Sequence, residues 1–598
     1  MAGVRCAPAA LLLLSVSVFG QPLRQLAEPR RILVGAAHNG SFTDSTYLSV
    51  MAREYNQLQC ENDMKFGSIH PQQNSYNWTR ADAIVNFAAQ NGMRVRGHVF
   101  LWHQQVPAWV TNGNFTPAQL SDLLHRHILA VGGRYQGKVY GWDVVNEAFN
   151  DDGTLRDTIW YDQPGVGFAG QGTAYIEQAL RWAREADPKA LLFYNDYSAE
   201  WVNAKADAIY HMVSDFKARG VPIDGVGLQC HFTTGNLGNI AGIDANIRRL
   251  TDLGLQVQIT EFDVRLPVDT SGTATAANLA AQATLYGQLA ATCLKYPLCT
   301  AMQTWGFTDK DSWIPGSFAG FGAGLPFDAA YQAKPAYTSL DGALSAAPDA
   351  ARPTLPAVPP VPQIAAGGLV DAASYAGNGV APGEIVVLFG ATQGPATLAT
   401  AQVVSGKIPG LLSDTQVFFD GVAAPLLYSV AGQASAIVPF GVAPKQQTTV
   451  RYQYQGIQSN VVTLPVVSAK PGLFTLDASG KGQAAALDAN YSPVTRTSPV
   501  AKGGIVLLFL TGAGQTNPAG VDGAIVTEAS LPAPLGVVTA TIGGIAAPVL
   551  YAGGAVGLVQ GGIQVNVQVP DTVPSGDQPV VITVGGVAST PPVAIAVK

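Results

Sequence analysis

The chain has 598 residues, of which 47% are hydrophobic and only 13% are charged, and its net charge is −7. This length predicts several domains, and a charged fraction about half of the ~25% usual for globular proteins favours β domains rich in Ala, Gly and Val. The acidic balance argues against a nucleic-acid partner, which would call for basic clusters; a neutral polymer or a small ligand fits better.

Residues 1–20 have the pattern of a secretory signal peptide. Arg5 supplies a positive charge, residues 7–19 form an apolar core, and Gly20 ends the predicted cleavage site. The apolar run is too short to span a membrane, and no later run of 18 or more apolar residues follows. We therefore expect a secreted, extracellular protein with no membrane span; attachment to the cell surface is a further option.

Eight short apolar segments alternate with helical patterns over residues 21–345. Six of the predicted strands are residues 32–36, 57–60, 93–97, 190–193, 225–228 and 300–304, and the other two end at Glu147 and Glu261. A helix is predicted to begin at Thr116-Pro117, where a capping box precedes an apolar stripe. Eight βα units predict a closed (β/α)₈ TIM barrel, with the active site at the carboxyl ends of the strands.

The composition changes after the barrel. Residues 346–362 are a proline-rich linker, and residues 363–468 and 469–598 are predicted to form two all-β sandwich modules. An internal repeat supports this division, because residues 419–428 match residues 542–551. The modules resemble the tandem immunoglobulin-like modules of exported acidobacterial proteins. They contain no tryptophan, which favours cell-surface or spacer roles over contacts with polysaccharide.

Two carboxylates at the ends of apolar strands, Glu147 and Glu261, carry the functional prediction. An acid at such a position is costly to ionise unless it is paired, so it is either a structural partner or a catalytic group. Glycoside cleavage needs one carboxyl to protonate the leaving oxygen and another to attack or to activate water. No cofactor is expected, and no spacing of Cys and His suits a metal site.

Six motifs in chain order are similar to those of glycoside hydrolase family 10, the endo-1,4-β-xylanases. They are Glu61-Asn62-Asp63-Met64-Lys65, Arg96-Gly97-His98 with Trp102-His103, Trp142-Asp143-Val144-Val145-Asn146-Glu147, Gly227-Leu228-Gln229 with His231, Ile259-Thr260-Glu261-Phe262-Asp263, and Trp305-Gly306-Phe307-Thr308-Asp309-Lys310. The resemblance spans residues 31–340. It implies a retaining mechanism on xylan or xylo-oligosaccharides, with Glu147 as the acid/base and Glu261 as the nucleophile.

The resemblance also implies roles for other residues. Asp263 is a supporting residue that pairs with His231, and Cys293 and Cys299 resemble a disulfide of many family members. Asn195 and Tyr197 are expected on the leaving-group side. The remaining predicted substrate-binding residues are Glu61, Asn62, Lys65, His98, Trp102, Gln105, Asn146, Gln229, His231, Trp305 and Trp313.

The sequence departs from the family pattern at Phe66, where tryptophan is usual, at Cys230, where serine is common, and at Cys60, where proline is frequent. These changes leave the catalytic pair intact. Two alternatives stay open: a retaining hydrolase of another β-1,4-glycan, and a non-catalytic carbohydrate-binding or surface protein.

Overall fold

The computed structural model describes residues 21–234, 239–348 and 350–598, in two compact units that divide between Pro359 and Pro360. The predicted signal peptide lies outside the described residues. No helix in the described ranges is long and apolar enough to cross a membrane.

The first unit contains a closed barrel of eight parallel strands. Each strand pairs with the next along the chain, and the eighth pairs with the first. This confirms the predicted TIM barrel. The strands are Leu33–His38, Gln57–Cys60, Arg94–Leu101, Val139–Asn146, Leu191–Asp196, Gly225–Leu228, Gln256–Pro267 and Cys299–Thr304.

Helices follow the strands around the barrel. The predicted capping box forms, since the Thr116 side chain accepts from the Gln119 amide and the helix runs over Pro117–Arg134. Its buried face packs on the barrel through residues such as Leu120, Leu124 and Ile128. The other helices of this unit are Leu23–Ala27, Ser45–Glu54, Phe66–Ile69, Thr79–Gln90, Ala108–Thr111, Ala174–Ala186, Ala204–Ala218, Ile240–Asp252, Ala276–Leu294, Ile314–Ser317 and Pro335–Ala346, with a 3₁₀ turn at Asp309–Asp311.

Two barrel strands run further than predicted. The third strand continues through His98 to Leu101, and the seventh continues six residues past Glu261 to Pro267. The predicted ends of these two strands, at Gly97 and Glu261, were therefore wrong. The seventh strand is extended because it pairs with two short strands, His231–Thr233 and Phe321–Gly322.

The segment after the last barrel helix lies against the bottom of the barrel. Arg94 donates to the Pro356 carbonyl at 2.9 Å, and Leu355 packs on Leu33 and Tyr140. The first part of the proline-rich stretch therefore belongs to the barrel unit.

The second unit is built from β-strands that form two pairs of mainly antiparallel sheets. The first pair has a five-stranded and a four-stranded sheet and contains Gln363–Asp371, Ile385–Ala391, Ala399–Thr400, Thr415–Phe419, Val422–Ala423, Leu426–Val430, Gln433–Ile437, Gln447–Tyr454 and Ile457–Pro465, with a 3₁₀ turn at Phe440–Val442. The second pair has a five-stranded and a six-stranded sheet and contains Gly472–Leu473, Gly482–Gln483, Ala486–Asp488, Ile505–Thr511, Val538–Ile542, Ile545–Ala547, Val549–Gly554, Ile563–Gln568, Gly576–Val584, Val587–Ala588 and Val593–Val597. A two-stranded sheet joins Thr516–Asn517 to Ala533–Pro534.

The internal repeat corresponds to matching elements. In the first copy, Thr415–Phe419 turns through Asp420 and Gly421 into Val422–Ala423 and is followed by Leu426–Val430. In the second copy, Val538–Ile542, Ile545–Ala547 and Val549–Gly554 follow each other in the same order. Each sheet pair encloses its own apolar core.

The cysteines of the barrel unit fall into two classes. Cys293 and Cys299 form a disulfide, whereas Cys60 and Cys230 are free and buried.

Candidate active site

A cavity of about 610 Å³ opens at the carboxyl ends of the barrel strands. It brings together most of the predicted site residues. These are Glu61, Asn62, Lys65, His98, Trp102, Gln105, Asn146, Glu147, Tyr197, Gln229, His231, Glu261, Trp305 and Trp313.

Glu261 is held by a charged chain of side chains. His231 bridges the two acids of the seventh strand, with Nε2 at 3.2 Å from Glu261 Oε2 and Nδ1 at 3.0 Å from Asp263 Oδ2. The Trp313 indole also donates to Asp263, at 2.8 Å. Glu261 and Asp263 can share His231 because residues two apart on a strand point to the same side.

The electrostatics of this chain keep Glu261 ionised. Burial would lower the pKa of His231, but the charge of Asp263 and the hydrogen bonds to both acids raise it to about 10. Burial would likewise raise the pKa of Glu261, but the hydrogen bond from His231 and charge interactions with His98 and His231 lower it below its ordinary value. The arrangement therefore supplies a buried carboxylate that carries its negative charge at neutral pH.

Glu147 is surrounded by neutral hydrogen-bond donors. Its Oε2 accepts from the Trp102 indole at 2.9 Å, and its Oε1 accepts from Gln229 at 3.0 Å and from Asn146 at 3.1 Å. Arg156 contacts the Glu147 backbone, where Nε donates to the carbonyl at 3.2 Å. Glu147 is 8% exposed and Glu261 is 4% exposed, so both are buried yet accessible from the cavity.

Three amide side chains connect the two carboxylates. Gln229 donates to Glu147 and to Asn146 Oδ1, at 3.0 and 3.2 Å. Asn195 donates to the same Asn146 oxygen and to Glu261 Oε1, both at 2.9 Å. The network fixes the orientation of each acid relative to the other.

Asn195 is fully buried beneath the cavity instead of lining its leaving-group side. Its side-chain oxygen accepts from Thr260 at 2.7 Å. Its contacts make it a residue that positions Asn146 and Glu261.

A buried ion pair supports the floor of the cavity. Arg96 and Asp143 are fully buried and form a two-pronged salt bridge, and His98 Nδ1 lies 3.0 Å from Asp143 Oδ2. Burial would raise the pKa of Asp143, but the charge of Arg96 lowers it. The Arg96 guanidinium also stacks on Phe193, 4.3 Å from the ring centre. The pair orients the His98 ring at the cavity surface.

Lys65 contacts three other predicted substrate-binding residues, Asn62, Trp102 and Trp305, and these four residues with Glu61 are called the sugar-binding wall. Its ammonium donates to Asn62 at 3.0 Å and lies 4.7 Å from the Trp102 ring centre and 5.6 Å from that of Trp305. Burial raises the pKa of the neighbouring Glu61 to about 7, although Lys65 acts in the opposite direction. The wall thus combines aromatic faces with polar groups, which is the usual composition of a ligand site.

Gln105 and Tyr197 complete the predicted lining. Gln105 donates to Asn62 at 3.2 Å. The Tyr197 hydroxyl accepts from Arg156 at 3.0 Å, and its ring lies 3.6 Å from the Lys205 ammonium.

The fold and the first part of the chain match known proteins. The family model for glycosyl hydrolase family 10 matches residues 22–343. Endo-1,4-beta-xylanase B of Thermotoga neapolitana is 42% identical over 342 residues, which cover 56% of this chain and 96% of that protein. Endo-1,4-beta-xylanase A of Phanerodontia chrysosporium is 38% identical over 307 residues, or 51% of this chain and 72% of that protein.

Solved structures of xylanases also match the first part of the chain. Xylanase 10B from Thermotoga petrophila RKU-1, crystallised with xylobiose, is 42% identical with a TM-score of 0.52, and the match covers 55% of this chain and 98% of that one. Native xylanase 10B from Thermotoga maritima gives 42% identity and a TM-score of 0.51, over 54% and 98% of the two chains. This chain belongs to glycosyl hydrolase family 10. It is therefore a glycoside hydrolase.

This family 10 enzyme has further cavity-lining residues that the sequence analysis missed. Arg156 lies in the loop after the fourth strand, where no periodicity marks it. Arg265 could have been predicted from the sequence, because it continues the alternation of Glu261 and Asp263 along the seventh strand. The others are His103, Gln104, Ser198, Ser317 and Phe318.

Four residues in or beside the family 10 site have a strained backbone, and two of them are Gln105, with φ +50°, and Ser198, with φ +52°. Glu147 has φ +58° and Cys230, next to Gln229, has φ +64°, in the left-handed region that non-glycine residues avoid. Such strain costs about 1–3 kcal/mol and is typical of functional sites. At Glu147 it falls on one of the two carboxylates.

Proposed function

We propose that the protein is a secreted endo-1,4-β-xylanase that hydrolyses internal xylosidic bonds of xylan with retention of configuration. The observation that carries this proposal is the contrast between the two cavity carboxylates. Glu261 is paired with a cation and is ionised, and the described hydrogen-bond donors to the Glu147 side chain are all neutral. Retaining hydrolysis needs one carboxylate nucleophile and one proton-bearing acid.

In the first step, Glu261 attacks the anomeric carbon and forms a glycosyl-enzyme ester. The bond from that carbon to the leaving oxygen breaks, and Glu147 gives its proton to this oxygen. In the second step, Glu147 takes a proton from water, the water oxygen bonds to the anomeric carbon, and Glu261 leaves as a carboxylate.

The surrounding groups assist both steps. His231 keeps Glu261 ionised and oriented, and Asn195 holds its other oxygen. The Asn146 amide nitrogen keeps one hydrogen beyond its bond to Glu147, and this hydrogen can serve the sugar 2-hydroxyl.

Xylose-type sugars fit the wall better than glucose-type sugars. Glu61, Asn62 and Lys65 supply polar groups for the sugar hydroxyls, and Trp313 closes the cavity near Asp263, where a hydroxymethyl group would be crowded. The named substrates of the relatives agree with this choice. The second candidate is a retaining hydrolase of another β-1,4-glycan.

Two measurements test the proposal. Chromogenic xylobiosides should be cleaved much faster than the matching cellobiosides; equal rates would favour the second candidate. Proton NMR during xylo-oligosaccharide hydrolysis should show the β-anomer first, and early α-anomer would overturn the retaining mechanism.

Export and the role of the second unit are parts of the same proposal. A disulfide at Cys293 and Cys299 is compatible with an oxidising compartment. We assign residues 363–598 to spacing or cell-surface attachment. Strong retention of that segment on insoluble xylan or cellulose would contradict this assignment.

A further inference from the structure

Arg265 is a cation at the cavity surface on the same strand as Glu261. Glu261, Asp263 and Arg265 alternate along this strand, so their side chains share one face. At about 3.3 Å per residue, Arg265 is displaced roughly 13 Å along the strand from Glu261. That displacement corresponds to the region of a sugar or side group beyond the one that reacts.

The Arg265 guanidinium differs from the other two Lys and Arg side chains that line the cavity. Lys65 donates to Asn62, and Arg156 donates to the Glu147 carbonyl and to Tyr197. Within the part of the chain that the structure describes, the Arg265 side chain makes neither an ion pair nor a hydrogen bond. Its recorded contact is a stack on Phe318, 4.1 Å from the ring centre.

No acid among the described residues forms an ion pair with the Arg265 guanidinium, so a neighbouring carboxylate does not account for its position. Asp263, two residues away, accepts from His231 and Trp313 through Oδ2, and its Oδ1 is buried without a partner among the described residues, so this acid does not hold the guanidinium. The stack on Phe318 holds the guanidinium plane and leaves its N–H donors free for a ligand. A planar fork of donors matches a carboxylate, which it can bind through two parallel hydrogen bonds.

We propose that Arg265 is a specificity-determining residue that binds the carboxylate of a uronic-acid side group on the xylan chain. The proposal rests on the proposed xylanase function. Lys65 and Arg156 already donate to protein groups, so Arg265 is the arginine or lysine of the described cavity lining that an entering anionic side group can engage.

The test compares three substrates with the full-length enzyme: a linear xylo-oligosaccharide, the same oligosaccharide with one glucuronic acid side group, and its carboxyl-reduced form. Wild-type kcat/KM should be about three- to tenfold higher on the acidic substrate than on the reduced one at low salt. This preference should shrink towards one at about 0.5 M NaCl, because the contact is between charges near solvent.

Arg265→Gln should remove the preference while changing kcat/KM on the linear substrate less than about twofold, and Arg265→Lys should keep part of it. Arg126→Gln is the matched control, since it removes an equal charge from an exposed helix position outside the cavity. The wild-type comparison of acidic and reduced substrates tests the idea even if a variant fails to fold.

Equal wild-type rates on the acidic and reduced substrates would overturn the inference, as would equal losses for Arg265→Gln on all three. Both results leave the xylanase proposal standing. Failure of the wild-type enzyme on the linear substrate would instead remove the proposed function, and this inference with it.

Discussion

The two units of the protein bury different kinds of side chain. The barrel encloses ionised groups such as Arg96, Asp143 and Glu261, each paired with a partner. The second unit packs mainly Val, Ile, Leu and Ala between its sheets. Burying a charge is costly unless it is paired. The barrel buries these charges around the cavity, where the reaction uses them, and pairs each of them. Most of the core of the second unit consists of apolar side chains, whose burial carries no such cost.

The same contrast recurs on a smaller scale inside the cavity. Glu261 is tied to a cationic His231, whereas Glu147 contacts neutral donors. If this difference sets the roles of the two acids, their removal should have different consequences.

Glu261→Ala should give the largest loss, about 10⁵-fold in kcat on every xylose-based substrate, because no other group can form the glycosyl-enzyme. Initial rates on xylan and on aryl xylobiosides measure it, and an unchanged circular dichroism spectrum is the control. Residual turnover within tenfold of wild type would refute the nucleophile assignment.

Glu147→Ala should separate the two roles. On xylan the loss should be about 10²- to 10⁴-fold, the usual contribution of general acid–base catalysis. A substrate with a good leaving group needs little protonation, so its first step should survive and a burst of released phenol should appear. Equal losses on both substrate types, with no burst, would mean that Glu147 is not the proton donor.

His231→Asn tests whether the cationic partner matters. We expect about a 10- to 100-fold lower kcat, because the carboxylate loses both its orientation and its charge partner. Glu261 must be ionised to attack the anomeric carbon, and the hydrogen bond from His231 lowers the pKa of Glu261. Removing His231 raises that pKa, so the acid limb of the pH–rate profile should move to higher pH. A pH–rate profile that is lower at every pH, with its acid limb at the wild-type position, would show that His231 only orients Glu261.

The barrel fold was predictable from the sequence because local patterns indicate it, such as alternating apolar segments and the capping box at Thr116. The predictions were wrong for strand ends and side-chain positions that depend on tertiary pairing. The seventh strand runs to Pro267 because His231–Thr233, about thirty residues earlier, and Phe321–Gly322, more than fifty residues later, pair with it. Asn195 was placed on the leaving-group side, yet its neighbours Asn146 and Glu261 come from other strands and place it beneath the cavity.

The smallest effect on activity is expected in the second unit, where Glu384 is a buried acid that departs from the apolar pattern. It accepts from Lys470 at 3.1 Å and from the Ala381 amide at 2.7 Å. Burial raises its pKa from 4.5 to about 8, although Lys470 acts in the opposite direction. The folded state therefore keeps a proton that the unfolded chain releases, and the free energy of unfolding should fall as the pH rises from about 4.5 to about 8.

Glu384→Gln cannot titrate, so the melting temperature of this unit should lose that pH dependence, which amounts to about 10–20 °C over this range at ~1.4 kcal/mol per pKa unit and ~2–4 °C per kcal/mol. Xylan hydrolysis should stay unchanged. Calorimetry across this pH range measures the transition, with Glu528→Gln, an exposed acid of the same unit, as the control. A wild-type transition that rises with pH in this window would show instead that Lys470 keeps Glu384 ionised. The buried charge would then stabilise the second unit just as paired charges do in the barrel, and the contrast between the two units would narrow.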